Sequence, residues 1–288
     1  MRALEALVND PRRFPPGPER RPALAQGDRD GVRPEQPRVQ VLCGWHAVEA
    51  ALQSRPQACR KLLHSEARLA DLKPYLRHLA ERRAAYRVAG EAELGKVAGT
   101  PAHQGVVAAF DKPLVRKLDH ATLKRCAGRA GLVLALDGVS NPHNLGALAR
   151  TAAFFGVQTL LVGPASVPAL LSTAAYRVAE GGLDRLEVLQ VEDLPAAVAQ
   201  FQRAGGQTSA LDVRGARDLR EWRGTAAKLA TLLVIGAEED GVSEAAVLAC
   251  GQALRIGAGA TVGGRMESLN VSVATGIAIA ELLATASA

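Results

Sequence analysis

The sequence predicts an α/β protein in two folded parts, and three observations carry this prediction. From Gly131 to the C-terminus, apolar runs of strand length alternate with segments of helical periodicity. The uninterrupted apolar run at residues 132–136 is typical of a parallel strand buried on both faces of its sheet. Residues 40–111 repeat this alternation on a smaller scale. We therefore expect a small α/β domain followed by a larger one, in which helices cover both faces of a parallel sheet.

The composition narrows the class of protein. The 288 residues carry a formal net charge of +6 at pH 7, and 48% of them are apolar. The positive charge favours an acidic partner, most commonly a nucleic acid, although an arginine-rich protein without such a partner has the same excess. No apolar run is long enough for a secretory signal or a membrane span. We expect a cytoplasmic protein with no membrane partner.

The four cysteines predict neither disulfides nor a metal site. None of them forms a C-x-x-C pair or stands beside a histidine at metal-ligand spacing; they are Cys43, Cys59, Cys126 and Cys250. We expect four scattered thiols in a reducing compartment and no bound metal.

Changes in composition divide the chain into four segments. Residues 1–39 are rich in Arg, Pro and Gly, with eight arginines against six acids, and we expect a tail that does not fold and acts as a spacer. Residues 40–111 form the small domain. Residues 112–129, which contain Pro113, are predicted to be a linker, and residues 130–288 form the larger domain.

The small domain has a clear order of elements. Strands are expected from Val39 and at 61–64, 86–88 and 103–110, and helices at 45–52, 69–83 and 91–98. Between Arg55 and Lys96 there are ten Lys or Arg against five acids, a net charge of +5. This charge fits an RNA-binding surface, and it fits a solvated helical face equally well.

The larger domain places three loops at the carboxyl ends of predicted strands. Strands are expected at 132–136, 157–162, 186–191, 208–213, 229–235 and 253–256, and helices include 147–155 and 271–284. Open parallel sheets bind ligands at the carboxyl ends of their strands. This rule selects the loops 137–146, 236–243 and 257–270 as candidate site segments.

The first of these loops opens a helix. Asn144 is a plausible N-cap, which would accept a hydrogen bond from the first helical turn. Arg150 follows as an isolated charge in a largely apolar helix. A surface arginine on an amphipathic helix is the ordinary interpretation, but the apolar neighbours favour a role at a site or an interface.

The other two loops have distinct chemistry. Residues 236–241 place three acids between two glycines, which could form a Mg²⁺ site, bind a ribose, or be a plain acidic turn. Residues 257–265 are rich in glycine, which permits close approach of a ligand. They lack the Gly-Lys-Ser/Thr ending of a phosphate loop, so an unrelated nucleotide-binding enzyme is disfavoured. Ser268 and Asn270 begin a small-residue helix suited to a subunit interface.

These loops resemble a known family. Asn144-Leu-Gly-Ala-Leu-Ala-Arg150, Gly236-Ala-Glu238 with Gly241, and Ser268-Leu-Asn-Val-Ser-Val-Ala274 resemble the three signature motifs of the SpoU (TrmH) RNA 2′-O-ribose methyltransferases, in family order. The segments 43–52 and 103–108 are similar to the two ends of the small substrate-binding domain that many members carry. The resemblance covers the chain from about Val41 to its end.

The resemblance implies a fold, a cofactor and a site. The larger domain would have the SPOUT-type parallel sheet with a C-terminal trefoil knot, an exception to unknotted topology, and the protein would be a homodimer. The residues implied to hold S-adenosylmethionine are Gly236, Ala237, Gly241, Ile256 and Leu269. Arg150 would lie at the RNA ribose, surrounded by Asn144, Glu238, Ser268 and Asn270. Residues 257–265 depart from the family pattern, because the family's loop at this place is usually shorter.

The implied activity is methylation of a ribose 2′-hydroxyl in structured RNA. Ribosomal RNA is the favoured substrate and guanosine the favoured nucleotide; a transfer RNA substrate, or a non-catalytic RNA-binding or ribosome-assembly role, is the alternative. Because the pKa of a guanidinium exceeds about 12 in proteins, Arg150 is a poor base. We expect it to stabilise the developing alkoxide or to hold the adjacent phosphate.

Overall fold

The structure is a computed structural model that describes residues 39–257 and 268–284. The chain divides between Pro113 and Leu114 into two compact units, and each is described by itself. The predicted tail and most of the glycine-rich loop, residues 258–267, lie outside the described residues.

The first unit is built on a four-stranded mixed sheet. Its strands are β1 (Val39–Cys43), β2 (Cys59–His64), β3 (Ala85–Val88) and β4 (Val106–Asp111), and its helices are α1 (Trp45–Ser54), α2 (Leu69–Glu81) and α3 (Glu91–Ala98), with 3₁₀ turns at Pro56–Ala58 and Glu66–Arg68. The strand order is β1-β4-β2-β3, and only the β2–β3 pair is parallel. Every strand and helix predicted in this segment is present, and α3 has the predicted bounds.

The core of the first unit lies between its helices and its sheet. Leu72 and Leu79 of α2 are fully buried, whereas Leu69 at the start of the same helix is exposed. Phe110 is completely buried at the end of β4, and the Arg55 guanidinium lies 5.0 Å from the centre of its ring. The first unit therefore has an apolar core of its own.

The second unit is an eight-stranded sheet covered by helices. Its strands are β5 (Arg116–Lys117), β6 (Gly131–Asp137), β7 (Thr159–Val162), β8 (Glu187–Gln190), β9 (Gln207–Leu211), β10 (Arg217–Asp218), β11 (Ala230–Gly236) and β12 (Ala253–Arg255). Its helices are α4 (His120–Ala127), α5 (Pro142–Phe154), α6 (Val167–Leu170), α7 (Thr173–Ala179), α8 (Leu194–Arg203), α9 (Thr225–Lys228), α10 (Glu244–Cys250) and α11 (Val271–Leu283), with 3₁₀ turns at Pro164–Ser166, Leu183–Arg185 and Leu219–Trp222.

All neighbouring strands of this sheet are parallel, which confirms the predicted fold class. The order is β10-β12-β9-β11-β6-β7-β8-β5. The central strands β6 and β11 pair along their full length, from Gly131 opposite Ala230 to Asp137 opposite Gly236. The two strands therefore end at the same level, and the loops that follow them start side by side.

The sheet separates two helical layers. Val133 and Ala135 of β6 belong to a core that they share with α4, α8 and α10. On another part of the sheet, α5 packs against α7 and α11, and α11 also contacts β6 and β11. Because these strands are buried on both faces, their sequences are continuous apolar runs.

The prediction of a linker at 112–129 is wrong for most of its length. Residues 116–117 form β5, which pairs with β8 at the edge of the sheet, and residues 120–127 form α4. The Asp119 side chain accepts a hydrogen bond from the Thr122 amide and caps this helix, and Leu123 and Ala127 enter the core. The segment is rich in Lys and Arg and has few apolar residues, a composition that is typical of a linker.

No helix in 39–257 or 268–284 is long and apolar enough to cross a membrane. Residues 258–267 join β12 to α11 outside those ranges, so the trefoil knot stays a prediction.

Candidate active site

A cavity of about 850 Å³ opens at the carboxyl ends of β9, β11 and β12. This volume lies within the range of about 300–1,000 Å³ that ligand sites usually have. Seven predicted site residues line it: Gly236, Ala237, Glu238, Gly241, Ile256, Ser268 and Leu269. The predicted acidic turn and parts of the predicted third loop therefore meet at one strand-end pocket.

The turn after β11 forms one wall of this pocket. The Gly241 amide donates a hydrogen bond to the Ala237 carbonyl over 3.0 Å, and Gly241 adopts a φ of 70° that favours glycine. A Cβ built at Gly236 would overlap the Gly241 carbonyl and the Val242 amide, so only glycine fits there. The two glycines let the backbone fold back on itself and expose its edge to the pocket.

The turn is also tied to the neighbouring strand β6. Asp137, the last residue of β6, accepts a hydrogen bond from the Ser243 amide over 2.8 Å. Ser243 in turn caps α10 by accepting from the Ala246 amide. The acidic turn is thus held at both ends, between the end of β11 and the start of α10.

A second set of side chains joins the three predicted motifs. The Asn270 side-chain amide donates to Asn144 Oδ1 over 3.1 Å and also to Glu238 Oε1. The Val271 amide lies 3.4 Å from the same Glu238 oxygen. The three side chains come from three separate parts of the sequence, and Asn270 connects the other two. This contact confirms that the motifs lie together in space.

The first motif is arranged differently from the prediction. The helix α5 begins at Pro142 rather than at 147, and its N-cap is Asn141, which accepts from the His143 and Asn144 amides. Proline is favoured at the first helical position, and this accounts for the earlier start. Asn144 therefore lies inside the helix. Its buried side chain does not cap the helix and instead accepts a hydrogen bond from Asn270. Asn270, by contrast, does cap its helix.

Arg150 lies apart from the pocket of its own chain. It stands six residues after Asn144, roughly 9 Å farther along the helix axis, and it is not among the residues that line the pocket. Its side chain is 58% exposed and forms an ion pair with Glu180, with Arg150 Nη2 and Glu180 Oε2 2.9 Å apart. The sequence predicted no partner for Arg150, because Glu180 lies 30 residues away in another helical segment.

Asp212 is a pocket residue that the sequence analysis missed. It follows β9 at the edge of the pocket, and its side chain is only 5% exposed. Hydrogen bonds from the Arg214 guanidinium and amide hold the pKa of this carboxyl below its usual range, so it is charged. Asp212 was predicted to lie inside the strand at 208–213, whereas β9 ends at Leu211.

The acidic residues of the turn do not form a recognisable cation site. Glu238, Glu239 and Asp240 are exposed. Within the described part of the chain, no three or more His, Cys, Asp or Glu side chains are grouped to hold a metal ion. Glu238 instead accepts a hydrogen bond from the Asn270 side chain.

Each of the two units matches a known protein family. Residues 131–280 match the SpoU rRNA Methylase family, and residues 41–115 match the family described as RNA 2′-O ribose methyltransferase substrate binding. Among solved structures, a putative RNA methyltransferase of the TrmH family from Porphyromonas gingivalis is similar, with a TM-score of 0.65 and 26% identity, covering 85% of this chain and 89% of that one. An AdoMet-bound rRNA methyltransferase from Sinorhizobium meliloti has the same fold, with a TM-score of 0.65 and 22% identity over 85% of this chain and 87% of that one.

Curated relatives cover most of the chain. An uncharacterized tRNA/rRNA methyltransferase, YfiF, of Escherichia coli O157:H7 is 34% identical over 257 residues, which are 88% of this chain and 70% of that protein. The 23S rRNA (guanosine-2′-O-)-methyltransferase RlmB of a Burkholderia species is 33% identical over 85% of this chain and 96% of its own length. The first family match spans more than half of the chain and contains all three motifs. The chain therefore belongs to the SpoU rRNA methylase family.

Proposed function

We propose that this protein transfers a methyl group from S-adenosylmethionine to a ribose 2′-hydroxyl in structured RNA. One observation carries the proposal: Asn270 hydrogen-bonds both Asn144 and Glu238 at the rim of a strand-end pocket. The contact joins the three segments that resemble the family motifs. A chance resemblance of three short segments would not bring their polar side chains into one hydrogen-bonded group.

The pocket lining fits the proposed cofactor. Gly236, Ala237 and Gly241 present backbone edges, while Ile256 and Leu269 provide apolar walls. Such a mixture suits a ligand with a flat base and several hydrogen-bonding groups. When bound, S-adenosylmethionine supplies an electrophilic methyl group on a positively charged sulfonium.

Charged side chains favour the same ligand. The carboxylates of Asp212 and Glu238 lie in the pocket lining, and negative charge near a cationic ligand stabilises it. Arg255 also lines the pocket and is suited to the carboxylate of an amino acid, because a guanidinium can bind a carboxylate through two parallel hydrogen bonds. Arg214 lines the pocket as well, but its Nε and Nη2 already donate to Asp212. These residues therefore offer partners for both signs of charge on the cofactor.

Arg150 is proposed to act on the ribose. Removal of the 2′-hydroxyl proton leaves negative charge on the oxygen, and a guanidinium can stabilise that charge through directed hydrogen bonds. Since arginine stays protonated, we assign the proton to the phosphate adjacent to the ribose. Asn144, Glu238, Ser268 and Asn270 are proposed to hold the surrounding groups in place.

A homodimer is proposed because Arg150 does not line its own chain's pocket. The helices α5 and α11, which pack together, carry exposed apolar side chains at Phe154, Val273 and Ile277, and Phe154 is 83% exposed. Neighbouring exposed apolar side chains mark interaction surfaces. A second copy on this surface could bring its Arg150 to the pocket. Light scattering should give the dimer mass for the wild type and the monomer mass for Ile277→Glu.

The RNA is proposed to be ribosomal and the target nucleotide a guanosine. RlmB proteins of Burkholderia and Acinetobacter, named 23S rRNA (guanosine-2′-O-)-methyltransferases, are 33% and 34% identical to this chain. In the first unit, α2 and the residues after it expose Lys73, Arg82 and Arg83, which suits a phosphate backbone. The E. coli relative, named a tRNA/rRNA methyltransferase, keeps transfer RNA as an alternative. Because the proposed substrate is ribosomal RNA, the activity is proposed to be cytoplasmic.

Ribose-methylation mapping tests the proposal. Total RNA from a strain that lacks the gene should be missing one 2′-O-methyl mark that returns when the wild-type gene is restored. A full set of marks in the deletion strain would refute the proposed activity. The longer loop at 257–265 favours a second candidate, an RNA-binding member without catalysis, which predicts no binding of S-adenosylmethionine in a calorimetric titration.

A further inference from the structure

Glu180 occupies an unusual backbone conformation beside Arg150. It follows the last turn of α7 with φ 45° and ψ 47°, in the left-handed region, and Gly181 continues the turn with φ 87°. Side chains other than glycine and asparagine are disfavoured in this conformation. A glutamate at this position therefore carries a conformational cost that a glycine would not carry.

The turn is packed closely against α5. A Cβ built at Gly182 would lie 2.8 Å from the Ala149 carbonyl oxygen and 2.9 Å from the Arg150 Cα. One turn before Arg150 on α5, a Cβ at Gly146 would lie 2.5 Å from the Ala175 carbonyl oxygen of α7. The backbones of α5 and of the segment 175–182 thus touch at two glycines. This contact fixes the position of Glu180 relative to Arg150.

The ion pair between them contributes little to stability. Its oxygen and nitrogen are 2.9 Å apart, but both side chains are well exposed, at 58% for Arg150 and 38% for Glu180. Exposed ion pairs of this kind add little to the free energy of folding. Stability therefore does not account for a charged side chain in a strained turn, and a role in orienting the guanidinium does.

We propose that Glu180 is a positioning residue that holds the Arg150 guanidinium in the orientation required at the RNA ribose. The inference rests on the proposed function. Glu180 uses one end of the guanidinium, at Nη2, and the other N–H groups stay available to the ribose oxygen or a phosphate. A guanidinium that is already oriented loses less freedom when the reaction begins.

The Glu180 carboxylate supports the reaction through Arg150 but is expected to oppose RNA binding. Its negative charge stands next to the residue that is proposed to meet the RNA backbone, and like charges repel. Removing this charge should therefore slow methyl transfer without weakening RNA binding. A residue that only supports the fold would produce a different result, a lower melting temperature and weaker binding.

The test compares Glu180 variants of the full-length protein. With saturating RNA and S-adenosylmethionine, Glu180→Ala should lower the single-turnover rate of methyl transfer about tenfold. Glu180→Gln keeps a hydrogen-bond acceptor and should lose less. The KM for RNA should stay equal or fall in both variants. Glu180→Gly, which suits the left-handed turn, should be at least as heat-stable as wild type and as slow as Glu180→Ala.

A matched control uses another exposed ion pair of the same unit. Glu192 lies 3.0 Å from Lys117 at the β5 edge of the sheet, so Glu192→Gln makes the same change in charge away from the site. Its rate should equal that of the wild type. In a chain that already carries Arg150→Ala, the change Glu180→Ala should have no further effect on the slow residual rate, because Glu180 acts through Arg150.

The other possible results distinguish a failure of the positioning role from a failure of the proposed function. Wild-type rates in Glu180→Ala and Glu180→Gly, a rise in KM with an unchanged rate, or an equal loss in the Arg150→Ala background would overturn the positioning role while leaving the proposed function intact. A wild-type chain that transfers no methyl group to RNA would instead overturn the proposed function, and this inference with it.

Discussion

Replacing Gly236 by alanine introduces one methyl group into the turn that forms a wall of the pocket. The three atoms nearest to that methyl carbon would be the carbonyl carbon and oxygen of Gly241 and the Val242 amide nitrogen, all inside the 3.0 Å limit that real Cβ atoms respect. These are backbone atoms, so no side chain can rotate away. The turn itself has to move by roughly 1 Å.

The size of the effect follows from this overlap. Overpacking of a tight site costs about 1–3 kcal/mol, and a backbone clash lies at the upper end of that range. If the displaced turn must return to its original position to bind the methyl donor, the free energy of S-adenosylmethionine binding becomes about 3 kcal/mol less favourable. At 1.4 kcal/mol for each factor of ten, the Kd for S-adenosylmethionine rises about 100-fold.

Calorimetric titration of S-adenosylmethionine measures this effect directly. Gly163→Ala is a matched control, because a Cβ at Gly163 has nothing within 4 Å and its φ of −70° suits alanine. The control should bind the cofactor as the wild type does. If Gly236→Ala bound S-adenosylmethionine with the wild-type Kd, the turn after β11 would not be the cofactor wall.

Three further predictions concern polar and thiol groups of the chain. Asn270→Ser keeps a good helix cap but loses the side-chain amide donor to Asn144 and Glu238 without adding a charge, so methyl transfer should slow at least about tenfold with little change in melting temperature; wild-type turnover would contradict the role of this amide. Hydrogen bonds from Arg214 lower the pKa of the Asp212 carboxyl. The stabilisation that the charged carboxylate gives to the folded state is therefore complete above the usual pKa of about 3.8, and it is lost as the pH falls through the lower folded-state pKa. Urea titrations should show that Asp212→Asn unfolds about 1 kcal/mol more easily at pH 7, with a smaller difference near pH 2; a constant difference would argue against the charged carboxylate. Burial raises the pKa of both Cys59 and Cys250 to about 12, so mass spectrometry after iodoacetamide at pH 8 should find the partly exposed Cys126 modified first; equal rates would be inconsistent with the burial.

Strong periodicity made much of the fold predictable. The helix at 91–98 has the predicted bounds, and the apolar run at 132–136 lies inside a strand that is buried on both sides. These elements depend on local pattern and on burial, both of which the sequence displays. The short elements β5 and α4 were missed, because β5 has only two residues and α4 lies in a segment that is rich in Lys and Arg and poor in apolar residues.

The site was predictable where its residues come from sequence motifs. The acidic turn, Ile256 and Leu269 line the pocket as expected. Asn144 was assigned to the wrong position in its helix, because the Asn141-Pro142 pair is the stronger start signal. The contact of Arg150 with Glu180 depends on how two helices pack and on a left-handed turn, and no local pattern reveals it.

The central claim is that the pocket and Arg150 together methylate a ribose, and one reaction tests it most directly. Purified protein, unmethylated ribosomal RNA and S-adenosylmethionine carrying a labelled methyl group are incubated, and the labelled nucleotide is identified by mass spectrometry. The account predicts a single 2′-O-methylated ribose in the wild-type reaction and almost none with Arg150→Ala. Label on a nucleobase, or equal labelling by wild type and Arg150→Ala, would contradict it.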